Sequence, residues 1–83
     1  MTLLYFAWVK SRIGRGEETV APPAGVATVM DLMRWLATQS NGHAAAFADP
    51  ALIRAAVNQE HVGFDAVIGA GDEIAFFPPV TGG

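Results

Sequence analysis

The chain reads as an α+β fold: a mixed sheet of four to five strands packed on one main helix, with a short second helix. Three observations predict it. Strongly apolar, strand-like stretches stand near both ends, at residues 3–9 and 73–77. One long amphipathic helix pattern lies between them. Several short strand-like pieces, separated by turn residues, follow that helix.

Leu3-Leu4-Tyr5-Phe6-Ala7-Trp8-Val9 is an almost unbroken apolar run, which fits a central strand covered on both faces. Residues 10–16 follow as a basic loop, with Gly14 and Gly16 as breakers. Lys10, Arg12 and Arg15 on that loop are either solvated or a contact for an acidic partner surface or a phosphate. Glu17-Glu18-Thr19-Val20-Ala21 reads as a more exposed strand, ended by Pro22-Pro23. Thr28 and Asp31 have the spacing of a capping box, and Val29, Leu32, Met33 and Leu36 recur at i, i+3, i+4 and i+7. That helix is expected to reach about Gln39 and stop at Ser40-Asn41-Gly42. Residues 43–48 suit a short second helix before the Asp49-Pro50 turn. Residues 52–58 are strand-like, Asn58-Gln59-Glu60 is a turn, and His61-Val62 is a brief return strand. Val67-Ile68 is another short apolar piece, and residues 69–72 make a tight turn into the last strand. There Ile74 and Phe76 face one way, Ala75 and Phe77 the other. One helix held by such a sheet is the ubiquitin-like β-grasp arrangement, with the first and last strands side by side at its centre. Residues 1–77 form that domain, and residues 78–83 a flexible tail.

Size and composition exclude several functions. Eighty-three residues allow one small core, and 52% hydrophobic against 16% charged residues excludes a disordered chain. A net charge of −3 argues against a nucleic-acid binder. The absence of cysteine excludes disulfides and thiolate metal sites. The apolar start is too short for a membrane span and lacks the basic residues of a signal peptide, so a cytoplasmic, non-membrane protein is expected. His43 and His61 lack zinc-ligand spacing, and each reads as a solvated turn residue. Ser11 and Ser40 have no nucleophile context, and Glu60, Asp65, Asp72 and Glu73 read as solubilising turn carboxylates. No stable cofactor and no metal is expected.

What remains is Pro78-Pro79-Val80-Thr81-Gly82-Gly83. Six residues can reach about 20 Å when extended. Pro78-Pro79 stiffens the base of the tail toward polyproline geometry. Gly82 and Gly83 lack Cβ atoms, so they can thread a narrow tunnel. A terminal Gly carboxyl can be activated as an acyl-adenylate, a mixed anhydride open to attack by sulfur. Gly-Gly alone is weak evidence, since chance supplies it in about 0.5% of chains. At the end of a β-grasp strand it carries more.

The Phe76-Phe77-Pro78-Pro79-Val80-Thr81-Gly82-Gly83 ending closely resembles that of the molybdopterin synthase small-subunit family, the sulfur carriers of molybdenum-cofactor synthesis. Phe6-Ala7, the helix start at Thr28, and Ala55-Ala56-Val57-Asn58-Gln59 also fall where that family is similar. The resemblance implies that an activating enzyme of the ubiquitin-E1 type, an adenylyltransferase using ATP, adenylates Gly83. The transient glycyl-AMP makes the chain a nucleotide-bearing phosphoprotein. A sulfur donor then converts it to a thiocarboxylate. The tail next enters the large synthase subunit and gives its sulfur to cyclic pyranopterin monophosphate, two carriers being consumed per dithiolene. The implied complex is a heterotetramer of two large and two small subunits, with the catalytic side chains in the large one. Gly83 is the implied reactive position and Gly82 its threading partner. Phe77, Pro78, Pro79, Val80, Thr81 and Lys10 are the implied partner contacts. His61 stands where relatives often carry an apolar contact, so its own contact is a departure. Phe77 could equally be core by alternation. Rival readings are a sulfur carrier for thiamine or tungsten-cofactor synthesis, a ubiquitin-like protein modifier, and an interaction module with an idle tail. A single lysine disfavours polymeric chains of a modifier.

Overall fold

The structure, a computed structural model, describes residues 1–79. Its elements run β1 (Thr2–Tyr5), α1 (Ala7–Ile13), β2 (Glu17–Thr19), α2 (Val29–Leu36), α3 (Asn41–Ala46), a 3-10 turn (Pro50–Leu52), β3 (Arg54–Val57), β4 (Glu60–Val62) and β5 (Glu73–Phe77). The five strands form one sheet in the order β2-β1-β5-β3-β4. β1 and β5 pair in parallel at its centre, and the other neighbours are antiparallel. The predicted α+β grasp arrangement holds, with three α-helices among the described residues where one main helix and a short second one were expected.

α2 forms for the local reasons its sequence announces. The Thr28 hydroxyl accepts from the Asp31 N–H at 3.2 Å, and Asp31 Oδ2 accepts from the Thr28 N–H at 3.1 Å. Both halves of the capping box are therefore closed. Val29, Leu32, Met33 and Leu36 are buried as the periodicity requires. α2 itself ends at Leu36, and tighter i→i+3 bonds (Thr38 N–H to Trp35, Gln39 N–H to Leu36) carry the turn to Gln39. Those helices cover one face of the sheet. Leu3, Tyr5, Ile74 and Phe76 alternate inward with 0–1% exposure, and with Val9, Leu32, Leu36 and Ile53 they make the core.

Three expectations fail. The apolar run 3–9 is not one strand: β1 stops at Tyr5, Ala7 turns the chain with φ +54°, and α1 begins there. An apolar run has no period that separates buried strand from buried helix. Here Val9 and Ile13, four residues apart, face the core from α1. Nor is β1 covered on both faces, since Thr2 and Leu4 are only half-buried. The basic segment 10–16 is therefore mostly helix, capped by Gly14 at φ +95°. Arg12 stacks over the Trp8 ring at 4.4 Å. Ser40-Asn41-Gly42 does stand where the turn after α2 stops, as expected, and it also opens the next helix: the Ser40 hydroxyl caps α3 by accepting from the His43 N–H at 3.0 Å. A Cβ on Gly42 would lie 2.5 Å from the Arg12 carbonyl oxygen, so glycine lets α3 close against α1.

The 52–58 stretch is shorter as a strand than expected, because Pro50–Leu52 winds into the 3-10 turn first. Its hairpin turns on Asn58 (φ +50°) and Gln59 (φ +71°), both left-handed. Asn58 tolerates this and clips the turn to β5, its Oδ1 accepting from the Glu73 N–H at 3.0 Å. Gln59 has no such compensation among the described hydrogen bonds. Gln59→Gly should stabilise the protein by about 0.5–1 kcal/mol in chemical denaturation. A loss of stability would show that the Gln59 side chain makes a contact worth more than its backbone strain.

Candidate functional site

β5 positions the site by aiming the chain out of the sheet's centre. Its inward residues, Ile74 and Phe76, are fully buried; Glu73, Ala75 and Phe77 lie half-buried on the opposite, helix-free face. Register then assembles a row across that face. Leu4 pairs with Ala75, Ala75 with Ala56, and Ala56 with His61. Phe77 stands one step further toward the exit, opposite Arg54. The His61 and Phe77 rings approach to 5.2 Å between centroids at a 46° tilt. Phe6, 49% exposed, donates its N–H to the Phe76 carbonyl at 3.1 Å and by alternation extends the same face. The result is a patch of Phe6, Leu4, Ala75, Phe77 and His61 beside the point where the tail departs.

Two residues predicted as partner contacts, Phe77 and His61, are thus brought together, and the even choice for Phe77 resolves to the open face. Pro78 and Pro79 follow, half-buried and outside regular structure. Val80, Thr81, Gly82 and Gly83 lie outside the described residues. Lys10 is not on a loop but exposed on α1, its side chain running along Gly16 and two strands away from β5.

A second cluster escaped the sequence. His43 is buried at 7% exposure, where a solvated turn residue was expected. Its Nε2 donates to Glu18 Oε2 at 2.6 Å, and Tyr5 Oη donates to the same oxygen at 2.7 Å. Nδ1 meets the Ser40 hydroxyl at 2.7 Å. Arg15 approaches the other Glu18 oxygen at 4.0 Å. Inward alternation of Glu18, paired with core Leu3 in β2, was the one local signal that could have found it. The cluster ties the edge strand β2 to β1 and α3. Every buried side-chain N or O atom among the described residues has a partner.

Burial raises the Glu18 pKa, but hydrogen bonds from His43 and Tyr5, with His43 and Arg15 nearby, more than offset it, so the carboxyl sits below its ordinary value. Burial, then the bond to Glu18, pushes the Tyr5 hydroxyl well above the usual tyrosine range. A depressed carboxylate contributes stability above its unfolded pKa, about 4.3, and loses it as pH falls through the folded value. Glu18→Gln should therefore cost about 1.5–3 kcal/mol at neutral pH, and that deficit should shrink below about pH 4. Melts of both proteins across the acid range check it; a deficit independent of pH would mean that the Glu18 charge is not what matters.

Among the described residues no group of three or more His, Asp or Glu is placed to hold a metal ion, and no helix is long and apolar enough to cross a membrane.

The model of the ThiS family matches residues 3–83. The chain is 47% identical to the molybdopterin synthase sulfur carrier subunit of Escherichia coli (strain K12), over 98% of this chain and 96% of that protein. Among solved structures it is similar to the small archaeal modifier protein 1 of H. volcanii, with TM-score 0.75 and 28% identity over 96% of this chain and 97% of that one. A putative molybdopterin converting factor, subunit 1, from Pyrococcus furiosus gives TM-score 0.67 and 25% identity, covering 95% of each chain.

Proposed function

Because this chain belongs to the ThiS family, we propose that it is the sulfur-carrying small subunit of a molybdopterin synthase. The observation that carries the reading is 47% identity to such a subunit across nearly the whole of both chains. The family match runs through Gly82 and Gly83 as well. On this reading an E1-like enzyme adenylates Gly83 with ATP. A sulfur donor displaces AMP to leave a thiocarboxylate. The tail, threaded through residues 80–83, delivers that sulfur to cyclic pyranopterin monophosphate in the large subunit. The chain itself supplies no catalytic side chain. It supplies a rigid β5, an exit stiffened by Pro78-Pro79, and an apolar patch with Phe77 and His61 at its edge for docking. ATP belongs to the activating enzyme, and the carrier holds it only as glycyl-AMP.

Such a carrier must leave its activating enzyme, so that interface is of the transient kind. His61 packs on Phe77, and Arg54 stands opposite Phe77 in register, so polar side chains border the apolar patch. The intact mass after incubation with activating enzyme, ATP and a sulfur donor tests the proposal. Exchange of one oxygen for sulfur is expected. No exchange, with the enzyme active on its own carrier, overturns it. The likeness to an archaeal modifier protein favours protein conjugation as the second reading; covalent adducts to other proteins without the sulfur exchange would support that instead.

A further inference from the structure

Beside its core stripe, α2 carries a second ordered row. Met30, Met33, Arg34 and Ala37 recur at i, i+3, i+4 and i+7 and line one wall of a cavity of about 350 Å³. The wall opposite is the segment after α3, from Phe47 through Ala48 to Pro50. That segment is fixed. The Phe47 N–H bonds to the His43 carbonyl at 3.0 Å, and its ring meets Phe76 edge-on at 5.0 Å. Asp49 Oδ1 accepts from the Ala51 N–H at 3.1 Å. Depth grades the lining from apolar to charged. Met33 and Phe47 are buried at the floor, Met30, Ala37 and Pro50 are half-buried, and Arg34 and Ala48 are exposed at the rim. Arg34 is the charged residue of the lining, and among the described residues no carboxylate forms an ion pair with it. Asp31, the acid nearly one turn earlier, already accepts the Ala27 and Thr28 N–H groups through Oδ2, each at 3.1 Å.

We propose that this cavity binds a small carboxylate with a compact aromatic or aliphatic body. The body occupies the space between Met33 and Phe47, and the carboxylate meets the Arg34 guanidinium at the rim. Three features select that chemistry. The volume stands at the small end of ligand sites, about 300–1,000 Å³, and takes one ring or a short chain. An α-helix, about 10 Å across with its side chains, is too wide to enter it. A guanidinium offers paired N–H donors that match a carboxylate, so the rim favours an anion over a neutral ligand of the same shape. The two methionines let the apolar part adapt, because an unbranched thioether repacks at little cost. The cavity lies on the helix-covered side of the sheet, opposite Phe77 and His61. A ligand held there leaves the proposed docking patch open.

The test titrates phenylbutyrate into the full chain and follows backbone amides and methionine methyl groups by NMR. Saturable shifts at Met30, Met33 and Phe47 are expected in the millimolar range or below, with Met1 unmoved. Arg34→Met should weaken binding about threefold to tenfold, and phenylbutanol should bind the parent chain more weakly by a similar factor. Ala48→Trp, which fills the rim, should abolish the shifts. Both replaced residues are exposed, so melting temperatures near the parent value should accompany these losses. No saturation by about 10 mM, equal affinity for the alcohol, or unchanged binding in either variant would each overturn the proposal. Shifts confined to Leu4, Phe6 and Phe77 would place the ligand on the open face and overturn it as well. Tighter binding of a short leucine-aspartate peptide at Met30 and Met33 would make the occupant a protein segment and overturn the small-ligand assignment.

Discussion

Deletion of Gly83 should abolish sulfur transfer and leave the melting temperature almost unchanged. The inward-facing core ends at Phe76, and the β5 ladder ends at Phe77 opposite Arg54. Gly83 lies six residues beyond Phe77 in the chain. The proposed chemistry, by contrast, has its single reactive carbonyl there. Gly82 would become the new end, one residue (about 3.5 Å) short of the partner's reacting centre. Misplacement by even about 1 Å can cost on the order of a hundredfold in rate, so the transfer should become undetectable. Sulfur transfer to the large subunit and a thermal melt, run on the same preparation, check both halves. A melting temperature lowered by several degrees would make the tail structural, and residual transfer near the parent rate would remove Gly83 from the chemistry.

Replacement of the adjacent phenylalanines should separate folding from docking. Phe76 is fully buried, 5.0 Å from Phe47 and 6.3 Å from Tyr5 between ring centroids. Phe76→Ala should cost about 3–5 kcal/mol, a large part of the about 5–15 kcal/mol by which a domain is stable. Phe77 lies on the helix-free face, and His61 is its described ring neighbour. Phe77→Ala should leave most of the stability in place and weaken binding to the large subunit at least about tenfold, equivalent to about 1.4 kcal/mol. Denaturant titration and calorimetric binding read the two effects. Equal destabilisation by both changes, with binding by Phe77→Ala unaltered, would return Phe77 to the core.

Phe76 and Phe77 also mark how far the sequence could be read. Alternation in the last strand separates their faces without any structure, because side chains in a strand have period two. The α2 cap was equally legible, since Thr28 and Asp31 are three residues apart and bond each other. The pairing of His61 with Phe77 was not. Both residues could be named, but their 5.2 Å approach depends on β3 lying between β4 and β5 in a particular register. The Glu18–His43 bond joins residues 25 apart, and nothing local to His43 distinguishes it from a solvated histidine.

Local chemistry settled the capping of α2, the division of β5 into two opposite faces, and the choice of the first and last strands as the sheet's centre; which face of β5 turns inward was decided by the assembled fold. Those features arise from interactions within a few residues, or from apolar content too high for any edge. The break of the apolar run at Tyr5, the helix that carries Lys10 and the burial of His43 needed the assembled fold. An apolar run serves strand or helix equally well, and a histidine serves water or a carboxylate. Which of these prevails is set by what the rest of the chain brings alongside: Phe76 beside Tyr5 and Phe6, and Glu18 reaching across from β2.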